Sequence, residues 1–98
     1  DEALILCAVD ISGRCTLNWD VRCSTEKVGD FDTELVEEFL LGFARSLGCA
    51  VHVRRLAGTN SHHIIEGMFK ALARALKEAV AIDEKYALEI PSTKGTIL

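Results

Sequence analysis

Residues 60–70 read "NSHHIIEGMFK". Two imidazoles stand side by side, and Glu66 follows His62 by four positions. On an α-helix, residues four apart sit one above the other. His62 and Glu66 would therefore converge and could grip one metal ion. His63 is turned by about 100° from His62, as 3.6 residues per turn requires, so it cannot easily serve that same ion. Adjacent histidines on one helix thus suit two separate ions, the helix standing between two sites. His52 adds a third imidazole on the strand-like run just upstream, and the loop "RRLAGTN" can bring the end of that strand back towards the start of the helix. This mixed nitrogen and oxygen donor set fits Mn, Fe, Co, Ni or Zn, and the absence of thiolate argues against a structural zinc site of the cysteine type. Spacing alone leaves a second reading open, in which two solvent-facing histidines accompany an ordinary surface glutamate. The pattern HHxxE is less specific than HExxH.

The elements that must position these residues are legible in outline. "ALILCAVDI" (3–11) is apolar and rich in strand formers and ends at the turn signal Ser12-Gly13. "CTLNWDVRC" (15–23) alternates, with Cys15, Leu17, Trp19, Val21 and Cys23 on one face and Thr16, Asn18, Asp20 and Arg22 on the other. The two runs flank "SGR" and are expected to pair as a hairpin. After a loop containing Gly29, Asp32 or Thr33 can cap a helix whose stripe is Leu35, Val36, Phe39, Leu40, Phe43 and Leu47. Glu34, Glu37 and Glu38 suit the positive end of its dipole, and Gly48 suits its C-terminal end. "AVHVRRL" (50–56) is a third strand, with Val51, Val53 and Arg55 on one side and His52 and Arg54 on the other. The second helix, capped by Asn60 or Ser61, carries Ile65, Met68, Phe69, Leu72, Leu76 and Ala79/Val80 and fades near Asp83. The order β-β-α-β-α predicts an α/β (α+β) two-layer sandwich, a small sheet with two helices over one face. The other face would carry His52, Arg54 and polar residues, or be covered by another copy.

The 98 residues allow a single domain, 1–98. The net charge is −4 and no Lys/Arg block suggests a nucleic-acid footprint. No apolar run reaches the length of a membrane span, and the start "DEALILCAVD" has no basic region or cleavage site of a signal peptide. It lacks a starting Met and opens directly into strand-like sequence, as a piece of something longer would. Cys7, Cys15, Cys23 and Cys49 form no CxxC pair. They read as buried free thiols in a reducing cytosol, with a disulfide between neighbouring strands as the alternative.

"VGDFDTELVEEF", "VHVRRLAGTNSHHIIEGMFKALARAL" and "IPSTKG" together resemble the C-terminal half of the imidazoleglycerol-phosphate dehydratase family of histidine biosynthesis. The resemblance covers almost the whole chain. It implies a tandemly duplicated fold in which each half resembles the second domain of ribosomal protein S5 and carries an HHxxE motif. It also implies many copies in a symmetric shell containing manganese or another divalent transition metal. His62, His63, Glu66 and His52 would be metal ligands. Lys70, Ser92 and Lys94 would hold the phosphate of imidazoleglycerol phosphate, with Lys27 where the family often has arginine. A lysine there offers a point charge without a bidentate fork. Without the resemblance, Lys70 reads as a solvated lysine and "STKG" as a flexible tail. Gly67 stands where alanine is usual. The family's first HHxxE motif has no counterpart here, and neither has a glutamate used in proton transfer. A homo-oligomer with metal sites shared between subunits, or a separate N-terminal half, would complete the ligand sets. In the family the metal ions sit on the substrate imidazole during dehydration to imidazole-acetol phosphate. A half-unit that binds metal and assembles without turnover is the alternative.

Overall fold

The computed structural model describes residues 1–81. A three-stranded sheet is built from β1 (Leu4–Asp10), β2 (Thr16–Asp20) and β5 (Ala50–Ala57), and a two-stranded ribbon from β3 (Lys27–Val28) and β4 (Phe31–Asp32). Two helices, α1 (Glu34–Leu47) and α2 (Ser61–Val80), cover one face of the larger sheet. The two-layer arrangement and the order of the main elements are as expected, with the ribbon added in the loop around Gly29.

One expectation is corrected. β1 and β2 do not pair as a hairpin, because β5 lies between them, antiparallel to β1 and parallel to β2. The connection at residues 11–15 is too long for a tight two-residue turn and instead bridges over the incoming end of β5. There Gly13 N–H donates to Gly48 O (2.8 Å) and Thr16 N–H to Cys49 O (3.2 Å). The central position goes to the strand with the most complete apolar burial, since Val51 and Val53 are 0% and 2% exposed. A parallel pair needs a long crossover, and the ribbon together with α1 supplies it.

Alternation along the strands sets the two faces. Ile5, Cys7, Val9, Leu17, Trp19, Val51 and Val53 face the helices, where they meet Val36, Leu40 and Ala44 of α1 and Ile64, Met68 and Leu72 of α2. Ile64 is fully buried although the apolar stripe as read from sequence began at Ile65. On the open face the register puts Ala8, His52 and Asn18 in one row and Leu6, Arg54 and Asp20 in the next. Arg54 Nε lies 3.8 Å from Asp20 Oδ2 across that row.

The helix termini follow the sequence in position more than in chemistry. Thr33 precedes α1, yet its hydroxyl makes no cap and donates to Thr25 O and Glu26 O, both at 3.0 Å. Gly48 closes α1 in the left-handed region (φ 68°), donating to Ala44 O at 2.9 Å, a conformation that favours glycine. Parts of the helix stripes stay outside the core: Leu35, Phe39, Leu47 and Phe69 are exposed.

Candidate metal centre

The first turn of α2 is held from three directions. Asn60 is extended, and its side chain accepts from the His63 backbone N–H at 3.0 Å, satisfying one of the free donors at a helix start. Ser61 is buried, and its Oγ accepts from Thr25 N–H (3.1 Å) and from the Thr25 hydroxyl (2.9 Å). The Ser24 hydroxyl donates to Thr59 O. These bonds tie the segment leading into β3 and β4 to the start of α2. As a result Val28 and Phe31 of the ribbon stand beside His62, Ile65 and Glu66, enclosing a shallow cavity of about 240 Å³.

From that scaffold the two histidines splay. Their ring centroids are 6.0 Å apart and the planes are inclined by 57°. His62 Nε2 lies 3.5 Å from Glu66 Oε2. Donors held about 2.0–2.2 Å from a metal stand roughly 3 to 3.5 Å from each other at ordinary coordination angles, so this pair fits as two donors to one ion. The other oxygen of Glu66 accepts from Lys70 Nζ at 2.8 Å. Lys70, supported by His62, holds the Glu66 carboxyl below its ordinary range, which favours the ionised form that a metal ligand would need.

His63 points elsewhere. Its Nδ1 lies 2.9 Å from Glu2 Oε2 and 3.2 Å from Glu2 Oε1, and its Nε2 is 3.6 Å from Asp1 Oδ2. Glu2 also accepts from the Asn60 backbone N–H at 3.2 Å. The contact with His63 is the main reason that the Glu2 carboxyl is lowered. His52 is on the open face of the sheet, in a shallow cavity with Leu6, Ala8, Asn18, Asp20 and Arg54. It does not join the helix histidines from within the same chain. Among the described residues no group of three or more His, Cys, Asp or Glu side chains forms a complete metal site.

The family model described as imidazoleglycerol-phosphate dehydratase matches residues 1–76. The chain belongs to the imidazoleglycerol-phosphate dehydratase family. The enzyme of that name from Jannaschia sp. (strain CCS1) is 53% identical over 99% of this chain and 50% of its own length. That from Thermoanaerobacter sp. (strain X514) is 58% identical with the same coverage. The crystal structure of the dehydratase from Staphylococcus aureus subsp. aureus N315 superposes with a TM-score of 0.82 at 46% identity, over 85% of this chain and 48% of that one. The Pyrococcus furiosus structure gives 0.84 at 40% identity, over 99% and 52%. This chain spans about half the length of the dehydratases it matches.

Of the remaining candidates, Lys70 lies one turn beyond Glu66 and is ion-paired with it. Lys27 sits on β3, 3.7 Å from Asp32 Oδ1 across the ribbon. Ser92 and Lys94 lie outside the described residues. Glu2 carries no signal in the sequence: its partner is 61 positions away, and no local pattern announces such a contact. Ser61, a cap candidate by its position, is instead the buried acceptor that tethers the segment leading into the ribbon.

Proposed function

We propose that this chain is the metal-binding half of an imidazoleglycerol-phosphate dehydratase, acting in the cytoplasm on imidazoleglycerol phosphate to give imidazole-acetol phosphate. The observation that carries this is the splayed pair, His62 with Glu66 on one side and His63 turned to the other, in a chain of this family. His62 and Glu66 would hold one divalent ion, manganese or a similar transition metal. In a symmetric assembly each such ion would take His62 and Glu66 from one copy and His63 and His52 from another. The open position of His52 on the far face of the sheet supports a ligand set shared between copies, since one chain does not gather it.

Bound to such a site, a metal supplies Lewis-acid stabilisation of negative charge on the substrate ring. The chain's own residues do the rest of the holding. Glu66 stays ionised beside Lys70, and Lys70 can turn from Glu66 to a phosphate dianion as a compact point charge. Lys27, Ser92 and Lys94 complete the phosphate contacts in this reading. Val28 and Phe31 give the site an apolar wall beside His62. The four free thiols suit a reducing compartment.

A second reading is favoured by the half-length match: a unit that binds metal and assembles but does not turn substrate over. One experiment addresses both. The purified protein is loaded with manganese(II), and its mass by light scattering is compared before and after EDTA, alongside a dehydratase assay. The expected result is a metal-dependent assembly that shrinks on chelation, and that His62→Ala and Glu66→Ala fail to form. Turnover of imidazoleglycerol phosphate identifies the enzyme, and assembly without turnover identifies the second reading. A monomer of unchanged mass in every condition defeats both.

A further inference from the structure

We infer that Glu2 is a positioning residue for His63, selecting the ring tautomer that leaves Nε2 free to bind metal. The inference rests on the metal-binding reading of His63 but makes a separate structural claim. An ionised carboxylate can only accept hydrogen bonds. With Glu2 Oε2 at 2.9 Å and Oε1 at 3.2 Å from Nδ1, the ring nitrogen that faces Glu2 must carry the proton. In the neutral ring the lone pair then belongs to Nε2. On that side Asp1 Oδ2 is 3.6 Å away, too far for a hydrogen bond but near enough to add negative charge where a cation would bind.

Glu2 is itself held in place. Its Oε1 accepts from the backbone N–H of Asn60 at 3.2 Å, and the side chain of Asn60 accepts from the backbone N–H of His63. One carboxylate therefore fixes both the ring and the turn that carries it. Gly58 permits the approach: a Cβ there would stand 2.8 Å from Ala3 Cα, so a larger residue would push away the segment that bears Glu2. A carboxylate on the remote nitrogen of a ligating imidazole orients the ring and raises its basicity, and losing such a partner typically costs about 10–100-fold in metal affinity. Among the described residues the His62 ring has no such partner beyond Glu66, so the two neighbouring histidines are prepared differently.

The test uses the whole chain with histidine-selective 15N labelling. In the metal-free protein, at a pH where His63 is neutral, its ring should show the Nδ1–H form. Glu2→Ala should shift it towards the Nε2–H form while His62 is unchanged, and Glu2→Gln, which keeps a neutral acceptor, should fall between. Affinity for manganese(II) alone should then drop roughly 10–100-fold in Glu2→Ala, and that drop should vanish when the same change is made in a His63→Ala background. A purely structural role for Glu2 would weaken both backgrounds equally and leave the tautomer alone, which would overturn the inference. If the chain binds no manganese at all, the metal reading fails, and the tautomer measurement still decides the role of Glu2.

Discussion

A single carboxylate, Glu66, answers to two partners on its own helix, His62 through one oxygen and Lys70 through the other. Glu2 does likewise for His63 and the Asn60 backbone. Both carboxyls are held below their ordinary value of 4.5, Glu2 chiefly by the hydrogen bond to His63 and Glu66 chiefly by Lys70. The sign of the linkage follows. A lowered folded-state value means that the unfolded chain binds these protons first as pH falls. The stability lent by the two contacts is therefore present above 4.5 and is lost as the pH drops through the lowered values. Thermal melts taken from neutral pH into the acid range should lose less stability in the Glu2→Gln, Glu66→Gln double variant than in the parent protein. Parallel acid limbs for the two proteins would show that neither contact persists in solution. The thiols give a second check. Burial raises Cys7, Cys23 and Cys49, whereas Cys15 is exposed. Since the thiolate is the reactive form, an alkylating reagent at pH 8 should label Cys15 first and the fully buried Cys49 last, as read by peptide mass spectrometry.

Between elements, two glycines set how closely α2 meets the rest. Gly67 faces β1, and a Cβ placed on it would lie 3.2 Å from Ile5 Cγ1, an inner atom of a half-buried, β-branched side chain. Alanine there gains about 1 kcal/mol of helix propensity, offset by the displacement of Ile5 that the close contact demands, so Gly67→Ala should move the midpoint of denaturant unfolding by less than that gain. Gly58 is the opposite case. Its φ is 121°, and the obstructing atoms include the Ala3 backbone, so Gly58→Ala should cost roughly 1–3 kcal/mol in the same measurement. These contacts mark the limit of what was legible in the sequence. The pairing of His62 with Glu66 and the Asn60 cap could be read because helix geometry acts over four residues. The exposed side of His52 followed from strand alternation alone. The hairpin expected between the first two strands failed because sheet order is a long-range property: a distant apolar strand competed for the same edge and won. Glu2 was invisible for a related reason, its contact with His63 being made by chain closure and not by local spacing.

At the scale of the whole fold, the described residues carry several large apolar side chains that stay exposed. Phe39 of α1 packs against Phe43 (centroids 6.3 Å) and reaches Phe69 of α2 (5.8 Å), yet Phe39 is 52% exposed and Phe69 41%. Leu4, Leu6 and Leu56 are exposed as well, in the strands of the sheet. Contiguous exposed apolar patches mark association surfaces, and the proposed ligand sets, which one chain does not gather among its described residues, would call for the same thing from the side of chemistry. The two drives can be separated. Phe39→Ser removes a half-exposed aromatic ring, so helix content by circular dichroism should hold while the metal-free mass by light scattering falls. His62→Ala leaves the aromatic patch intact, so it should lower the mass only in the presence of manganese(II). If Phe39→Ser leaves the metal-free mass unchanged, the aromatic patch contributes nothing to association, and the exposed leucines of the sheet and the proposed metal sites are the drives that remain.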